Sequence, residues 1–312
     1  MIPRGSLVAV TGASGFIGAS LCARLLERGF RVRALIRNPD KARELSTQGA
    51  SLIVGDLQNT AALQQFVAGS DAIIHAAGAV RGASQADFDQ VNVAGTAALL
   101  SAIKAQTRRP RLLLLSSLAA REPGLSWYAH SKRDSEKLLE QEPDLDWIIM
   151  RPPPVYGPGD KEMLPIFQWM GRGIAFVPGS TKARISLIHV ADLVAAIMAC
   201  LYTPRTRHQT LSLCDGKSDG YNWREMASIA ATTWDRRVRL WRVPTWLLDT
   251  VAQLNIRVAG ITGSAPMLTP PKLRELRHTD WVVDNEAISG ITEWTPAISL
   301  REGLAEIGNS AL

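Results

Sequence analysis

The sequence predicts an α/β fold, a doubly wound parallel sheet carrying a smaller mixed domain toward its C-terminal end. Three observations predict it. Short apolar runs alternate with longer amphipathic stretches from the N-terminus onward. Several of these runs are apolar throughout, the pattern of strands covered on both faces, and parallel sheets are covered on both faces. A glycine triplet, Gly12, Gly15 and Gly18 in TGASGFIG, lies between the first strand candidate and the first helical stretch.

In chain order the strand candidates are SLVAVTG (6–12), RVRALIR (31–37), SLIVGDL (51–57), DAIIHAAG (71–78), RLLLLSS (111–117) and DWIIMRP (146–152). Helical stretches at 16–29, 59–69, 85–107 and 128–141 separate them. After Arg151 the Pro- and Gly-rich RPPPVYGPGD leaves the sheet as a loop. ARISLIHV (183–190), the helix ADLVAAIMACL (191–201) and QTLSLCD (209–215) form a unit expected to return to the sheet. The remainder, 216–312, is mixed and Trp-rich. It is expected to sit over the carboxyl ends of the strands, where open α/β sheets bind ligands. The expected division is 1–155 with 183–215 as one domain, and 156–182 with 216–312 as a substrate-binding domain.

Composition narrows the class. Of 312 residues 46% are hydrophobic and 21% charged, an ordinary globular balance. The net charge of +6 suits an anionic cofactor or substrate, but no basic run or aromatic-basic repeat marks a nucleic-acid platform. Cys22, Cys200 and Cys214 are odd in number, far apart and without metal-ligand spacing, as expected of reduced thiols in a cytoplasmic protein with no metal site. No apolar stretch approaches the ~20 residues of a membrane span. A strand begins almost at once, so no signal peptide is expected, and Met1–Ser6 is given no role.

The glycine triplet has a mechanical reading. Gly12 permits the tight turn, Gly15 lets the backbone approach a pyrophosphate, and Gly18 lets helix and strand pack closely. The free N–H groups of the helix end, with Ser14, Phe16 and Ile17 beside them, favour a phosphate pair. This is the dinucleotide site of a Rossmann fold. The end of the second strand carries Arg37 where an NAD site would place an acid gripping the ribose hydroxyls. A guanidinium there suits the 2′-phosphate of NADP, with Lys41 and Arg43 adding charge, so NADP is the expected cofactor and NAD the alternative. A solvated strand-end cation is the competing reading of Arg37. Asp56, with Leu57, is placed to meet the adenine edge. His75, Ala76, Ala77 and Gly78 are small enough, after the histidine, for the cofactor to lie against.

Tyr128 and Lys132 in YAHSK lie four apart and share a helix face. Tyrosine titrates near pH ~10, and a nearby ammonium favours the phenolate, so Lys132 is expected to lower that value. Tyr128 would then exchange a proton with a substrate oxygen as hydride moves, and Ser117 at the end of the fifth strand would hydrogen-bond the same oxygen.

These residues together resemble the extended short-chain dehydrogenase/reductase family. TGASGFIG, Asp56, HAAG, Asn92 in VNVAGT, the pair Ser116–Ser117, YxxxK and RPPPVYGPGD stand in that family's order, and the tail WVVDNEAISGITEWTPAISLREGL resembles its closing segment. The resemblance implies a catalytic Ser117, Tyr128 and Lys132. It also implies that Asn92 and Ser116 support the nicotinamide region and that the stretch from Pro152 to Val155 lines the ring. Two departures stand out. The gap from Ser117 to Tyr128 is short. Pro154 also stands where nucleotide-sugar members usually carry an Asn, and proline cannot donate that hydrogen bond.

Val80, Arg81, Ser117 and Tyr156 are the candidate substrate contacts, although Arg81 is equally a solvated loop cation. His130 and His189 read as structural. The segment Trp234–Arg257 sets Trp234, Trp241 and Trp246 among arginines. It is expected to be a pocket lid with aromatics inward and arginines in water, the alternative being a membrane-surface segment. The leading functional expectation is an NADP-dependent oxidoreductase for a carbonyl/alcohol pair, similar to dihydroflavonol-reductase-like and 3β-hydroxysteroid-dehydrogenase-like members. The alternatives are a nucleotide-sugar epimerase/dehydratase using bound NAD and a non-catalytic cofactor-binding subunit. Expected partners are a small-molecule substrate and, as an allowed arrangement, a second copy in a homodimer, with neither nucleic acid nor membrane.

Overall fold

The computed structural model describes residues 2–262 and 265–311, with the side chains of 309–311 outside the description. Strands β1 (Leu7–Thr11), β2 (Arg31–Ile36), β3 (Ser51–Val54), β4 (Ala72–His75), β5 (Arg111–Leu115) and β6 (Trp147–Arg151) join Gln209–Ser212 in one seven-stranded sheet. Its spatial order is Gln209–Ser212, β6, β5, β4, β1, β2, β3, and every pairing is parallel.

Two cores explain why the strands read as continuous apolar runs. In β1, Val8 and Val10 face a core shared with the helices Phe16–Glu27 and Val190–Tyr202. Ala9 between them faces the opposite core, built with Thr60–Val67 and Gly95–Lys104. Successive side chains of a strand point to opposite faces, so a strand with two covered faces has no polar alternate. The chain runs from β1 outward to β2 and β3 and then returns to β4 on the other side of β1. That reversal opens a crevice at the carboxyl ends of β1 and β4.

The expected helix 85–107 is interrupted. Ser84 and Asp87 form a capping box at Gln85–Phe88, Asp89–Ala94 widens into a π-turn, and Gly95–Lys104 continues as α-helix. The Asn92 carbonyl accepts the hydroxyls of Thr96 at 2.6 Å and Ser135 at 2.7 Å, side-chain insertions that accompany the widened turn.

The expected strand 183–190 is also not one strand. Arg184–Ile185 pairs with Asp280–Trp281, and Ile188–His189 pairs with Val155–Tyr156. Between them the Ser186 N–H bonds the Trp281 carbonyl at 2.9 Å and the Asp215 N–H bonds Leu187 at 2.9 Å, so the backbone changes partners mid-run. Beyond the sheet a third core gathers Tyr156, Phe167, Met170, Leu187, Leu300 and Leu304.

Candidate active site

The Phe16–Glu27 helix starts at Gly15 with no side-chain cap, which leaves its first N–H groups for a ligand. Gly12 has φ +70, and a Cβ there would stand 2.7 Å from the Ala77 nitrogen. A Cβ on Gly18 would stand 2.1 Å from the Gly12 carbonyl oxygen. Loop and helix therefore pack at distances only glycine allows. Ser14 is exposed and Phe16 and Ile17 are half-buried at the same helix end. The Gly157–Gly159 turn comes over it, a Cβ on Gly159 lying 3.6 Å from the Phe16 ring.

At the end of β4 the His75 ring is buried between two hydroxyls, Thr11 Oγ1 at 2.7 Å from Nδ1 and Thr96 Oγ1 at 3.1 Å from Nε2. Thr96 Oγ1 donates to the Asn92 carbonyl, and Thr11 Oγ1 accepts the Ala77 N–H at 3.1 Å. The network thus assigns the proton to Nε2 and makes Nδ1 the acceptor. Burial, then the Lys132 charge, lowers His75 to about 3, so it is a neutral strut. Ala76 and Ala77 are half-buried and Gly78 is exposed at the crevice. The Asn92 amide is spent on the loop beyond them, its Oδ1 accepting the Ala79 N–H at 2.8 Å and its Nδ2 donating to Ser131 at 2.9 Å.

At the adenosine end Arg37 is exposed and has no hydrogen-bond or ion-pair partner among the described residues. Arg43 is tied to Asp40 at 2.7 Å, and Lys41 is exposed. The Asp56 Oδ1 accepts the Gln58 and Asn59 N–H groups at 2.9 and 3.1 Å, while Leu57 is buried against Gly95.

The Ser117 hydroxyl caps the short turn Leu118–Arg121, accepting the Ala119 N–H at 3.2 Å, and hydrogen-bonds Tyr128. Tyr128 sits in the first turn of Trp127–Glu140, behind the Ser126 cap. Lys132, one turn on, is buried and donates to the Leu115 carbonyl at 2.7 Å. A Cβ on Gly78 would stand 3.5 Å from its Nζ, which places the ammonium at the crevice floor. Ser117 at the end of β5 and the Tyr128–Lys132 pair of the following helix thus meet at the carboxyl edge of β4 and β5.

Their electrostatics differ from expectation. Burial pushes the Tyr128 phenol up to about 12, against the Ser117 hydrogen bond, and Glu275 pushes the same way. Burial lowers Lys132 to about 8, with Glu136 opposing. Lys132 does not make Tyr128 acidic here. Both groups are driven toward their neutral forms because the site is desolvated.

Other expected residues are occupied elsewhere. The Ser116 hydroxyl donates to the buried Glu136 at 2.6 Å, and Arg151 grips the same carboxylate at 2.8 and 2.5 Å. The buried Pro152 gives its carbonyl to the Leu118 N–H at 2.8 Å, and Val155 is half-buried in its two-residue strand. Val80 is exposed and lines a cleft beside Tyr128 with Phe88, Trp127, Met267, Pro271 and Lys272. Arg81 pairs with Glu162 at 2.8 Å, both side chains partly exposed. Tyr156 does not reach the cleft. It is wholly buried in the third core, edge-on to Phe167 and His189. Its ring packs in that apolar cluster while its hydroxyl donates to the Ser299 carbonyl at 3.4 Å. His130 pairs with Asp134 at 3.2 Å on an exposed helix face, and His189 caps Val190–Tyr202 through the Ala191 N–H at 3.3 Å.

The Trp234–Arg257 segment does not turn its aromatics inward as a lid. The Trp234 Nε1–H bonds the Leu304 carbonyl at 3.2 Å, whereas Trp241 and Trp246 are 58% and 68% exposed. The cleft is instead covered by Pro266–Thr269 and by Pro270–Arg277. From that helix Lys272 lies over the Tyr128 ring at 5.4 Å, and Glu275 accepts the Ser126 hydroxyl at 2.5 Å. Sequence reading missed both residues. PPKLREL after Thr269 does signal a helix start, but nothing local says that this helix packs on Tyr128.

The cradle fits a nicotinamide dinucleotide. The uncapped helix end and the Gly12 and Gly18 approaches suit the pyrophosphate, Arg37 stands free at the adenosine end, and Lys132 reaches the crevice beside Gly78.

Comparison with known proteins agrees. The model of the NAD dependent epimerase/dehydratase family matches residues 8–213. A ceramide reductase of Caulobacter vibrioides is 36% identical over 88% of this chain and 85% of its own. A 2-alkyl-3-oxoalkanoate reductase of Shewanella oneidensis is 28% identical over 67% of this chain and 59% of its own. The structure of UDP-glucuronic acid 4-epimerase from Bacillus cereus, in complex with UDP-glucuronic acid and NAD, superposes with a TM-score of 0.75 at 19% identity. That match covers 97% of this chain and 98% of the other. The seven-stranded parallel sheet, its glycine cradle and these matches place the chain in the NAD dependent epimerase/dehydratase family, as a nicotinamide-dependent enzyme of the extended short-chain dehydrogenase/reductase type.

Proposed function

We propose that the protein is an NADPH-dependent reductase of a ketone carried on a long apolar molecule. The observation that carries this reading is a Ser117–Tyr128 hydroxyl pair, with Lys132 one turn on, beside a cleft walled by Val80, Phe88, Trp127 and Met267. A bound nicotinamide supplies the hydride. Ser117 and Tyr128 hold the substrate oxygen between them. Tyr128 donates its proton to that oxygen as the carbon takes up hydride, which leaves the alcohol. Burial keeps Tyr128 as the phenol at neutral pH, the form that carries the proton the alcohol product needs. Lys132 donates to the nicotinamide ribose as well as to Leu115. Arg37, exposed and without a partner among the described residues, pairs with the 2′-phosphate of NADP. The names of the relatives, a ceramide reductase and a 2-alkyl-3-oxoalkanoate reductase, support a carbonyl on a lipid-like chain.

The test is turnover of NADPH by the purified protein with long-chain β-keto amides and β-keto acids, set against nucleotide sugars. Tyr128→Phe keeps the ring and should cut turnover by roughly 10²–10⁴ with cofactor affinity unchanged. Near-wild-type turnover in that variant, or activity confined to nucleotide sugars, would reject the proposal.

A further inference from the structure

We infer that the helix Thr245–Thr262 and the aromatic strand before it form a docking surface for the headgroup–acyl boundary of an anionic phospholipid bilayer. The helix is amphipathic in the inverted sense. Leu247, Val251, Leu254, Val258 and Ile261 recur at alternating spacings of four and three, and all five are exposed, Ile261 to 87%. That spacing draws a continuous stripe along one face. The face turned to the protein holds the buried Ala252 and Ala259, with Leu248, Asn255 and Ile256 half-buried beside them. An apolar stripe in water is costly, and patches of this kind mark interaction sites.

The surroundings of the stripe indicate what covers it. Trp246, 68% exposed, stands at its N-terminal end. Just before it, through Pro244, comes Trp241, the end of an aromatic ladder in which Trp169–Phe176 and Phe176–Trp241 centroids lie 5.1 and 6.1 Å apart. Arg172 stacks on Trp169 at 5.1 Å. Arg237, Arg239 and Arg242 are exposed on the aromatic strand and its approach, Arg257 is exposed along the helix, and Asp249 pairs with Arg277 at 2.9 Å. Exposed tryptophans and arginines bordering an apolar helix face are the composition of a segment lying in a membrane interface. The arginines complement anionic headgroups. A two-fold contact between copies of this chain would instead gather both copies' arginines into one interface, with no matching set of acids exposed beside the stripe among the described residues.

Among the described residues no helix is long and apolar enough to cross a membrane, so the surface lies on the bilayer. The middle of the helix adjoins the active-site cleft. Asn255 Nδ2 donates to the Leu268 carbonyl at 3.1 Å, and the neighbouring Met267 is at once exposed and part of the cleft wall. Docking would set the cleft mouth at the lipid boundary. The inference stands on the surface itself and is read without turnover, so it survives or fails separately from the substrate reading.

The test is co-sedimentation of the full chain with vesicles of phosphatidylcholine alone and of phosphatidylcholine with phosphatidylglycerol. Binding is expected to the anionic vesicles, weakening as salt rises. A Trp246→Ser, Leu254→Ser double variant should keep its thermal midpoint, since both side chains are exposed, yet lose roughly tenfold or more in partitioning. Arg237→Glu with Arg239→Glu should lose the preference for anionic lipid. No sedimentation at low salt would overturn the inference, and so would undiminished binding by the double variant. A stable dimer in light scattering that the double variant dissolves would also overturn it, because a second copy would then cover the stripe.

Discussion

Cofactor capture should fall with rising pH through Lys132. Burial lowers its ammonium to about 8, with Glu136 pulling the other way. A lowered amine is charged below that value and neutral above it. The charged fraction is then roughly nine-tenths at pH 7, half at pH 8 and one-tenth at pH 9. If the ammonium must donate to the nicotinamide ribose, kcat/KM for the cofactor drops roughly tenfold from pH 7 to pH 9, since that ratio reports groups of the free enzyme. Tyr128 adds nothing in this range because it stays a phenol to about 12. The assay is steady-state NADPH oxidation at saturating ketone with the cofactor varied. Lys132→Met should give a low value that no longer changes between pH 7 and pH 9. A flat wild-type profile to pH 10, or the same fall in Lys132→Met, would refute the reasoning.

Two further outcomes are expected. Arg37→Ala should weaken NADPH binding by about 1.5–3 kcal/mol, the scale of a hydrogen bond to a charged group, and leave NADH binding unchanged; isothermal titration with both cofactors checks it, and equal losses would remove Arg37 from the 2′-phosphate. Acid should destabilise the fold through His75, whose folded value is lowered to about 3. The unfolded chain takes up a proton below about 6.5 and the folded one does not, so stability is full above that value and falls as pH drops. The loss by pH 5 is about 2 kcal/mol. Urea unfolding should show this acid limb in the wild type and a shallower one in His75→Asn, whereas equal limbs would mean that His75 is not its source.

Much of this protein was legible in one dimension because the features concerned are local or periodic. Strand and helix order follows from hydrophobic periodicity, and the phosphate cradle from three glycines in a strand–turn–helix context. Tyr128 and Lys132 share a helix face through a spacing of four. Where packing at a distance decides, the sequence was silent. The run 183–190 carries the composition of one strand, yet its two ends pair with chain segments 155–156 and 280–281. Tyr156 reads as a pocket residue beside a Pro-rich loop, but the third core buries it.

The sequence by itself determined the fold class, the glycine turn at the first helix and which side chains share a turn, because backbone sterics and side-chain period act over a few residues. Only the tertiary structure decided the state and surroundings of those side chains. Tyr128 is raised rather than lowered because burial strips it of water, and the charge of Glu275, from a helix far along the chain, pushes the same way. The face of Thr245–Thr262 turned to solvent was likewise set by which side found room against the body. Periodicity reveals that a helix has an apolar stripe, but not whether that stripe faces protein or water.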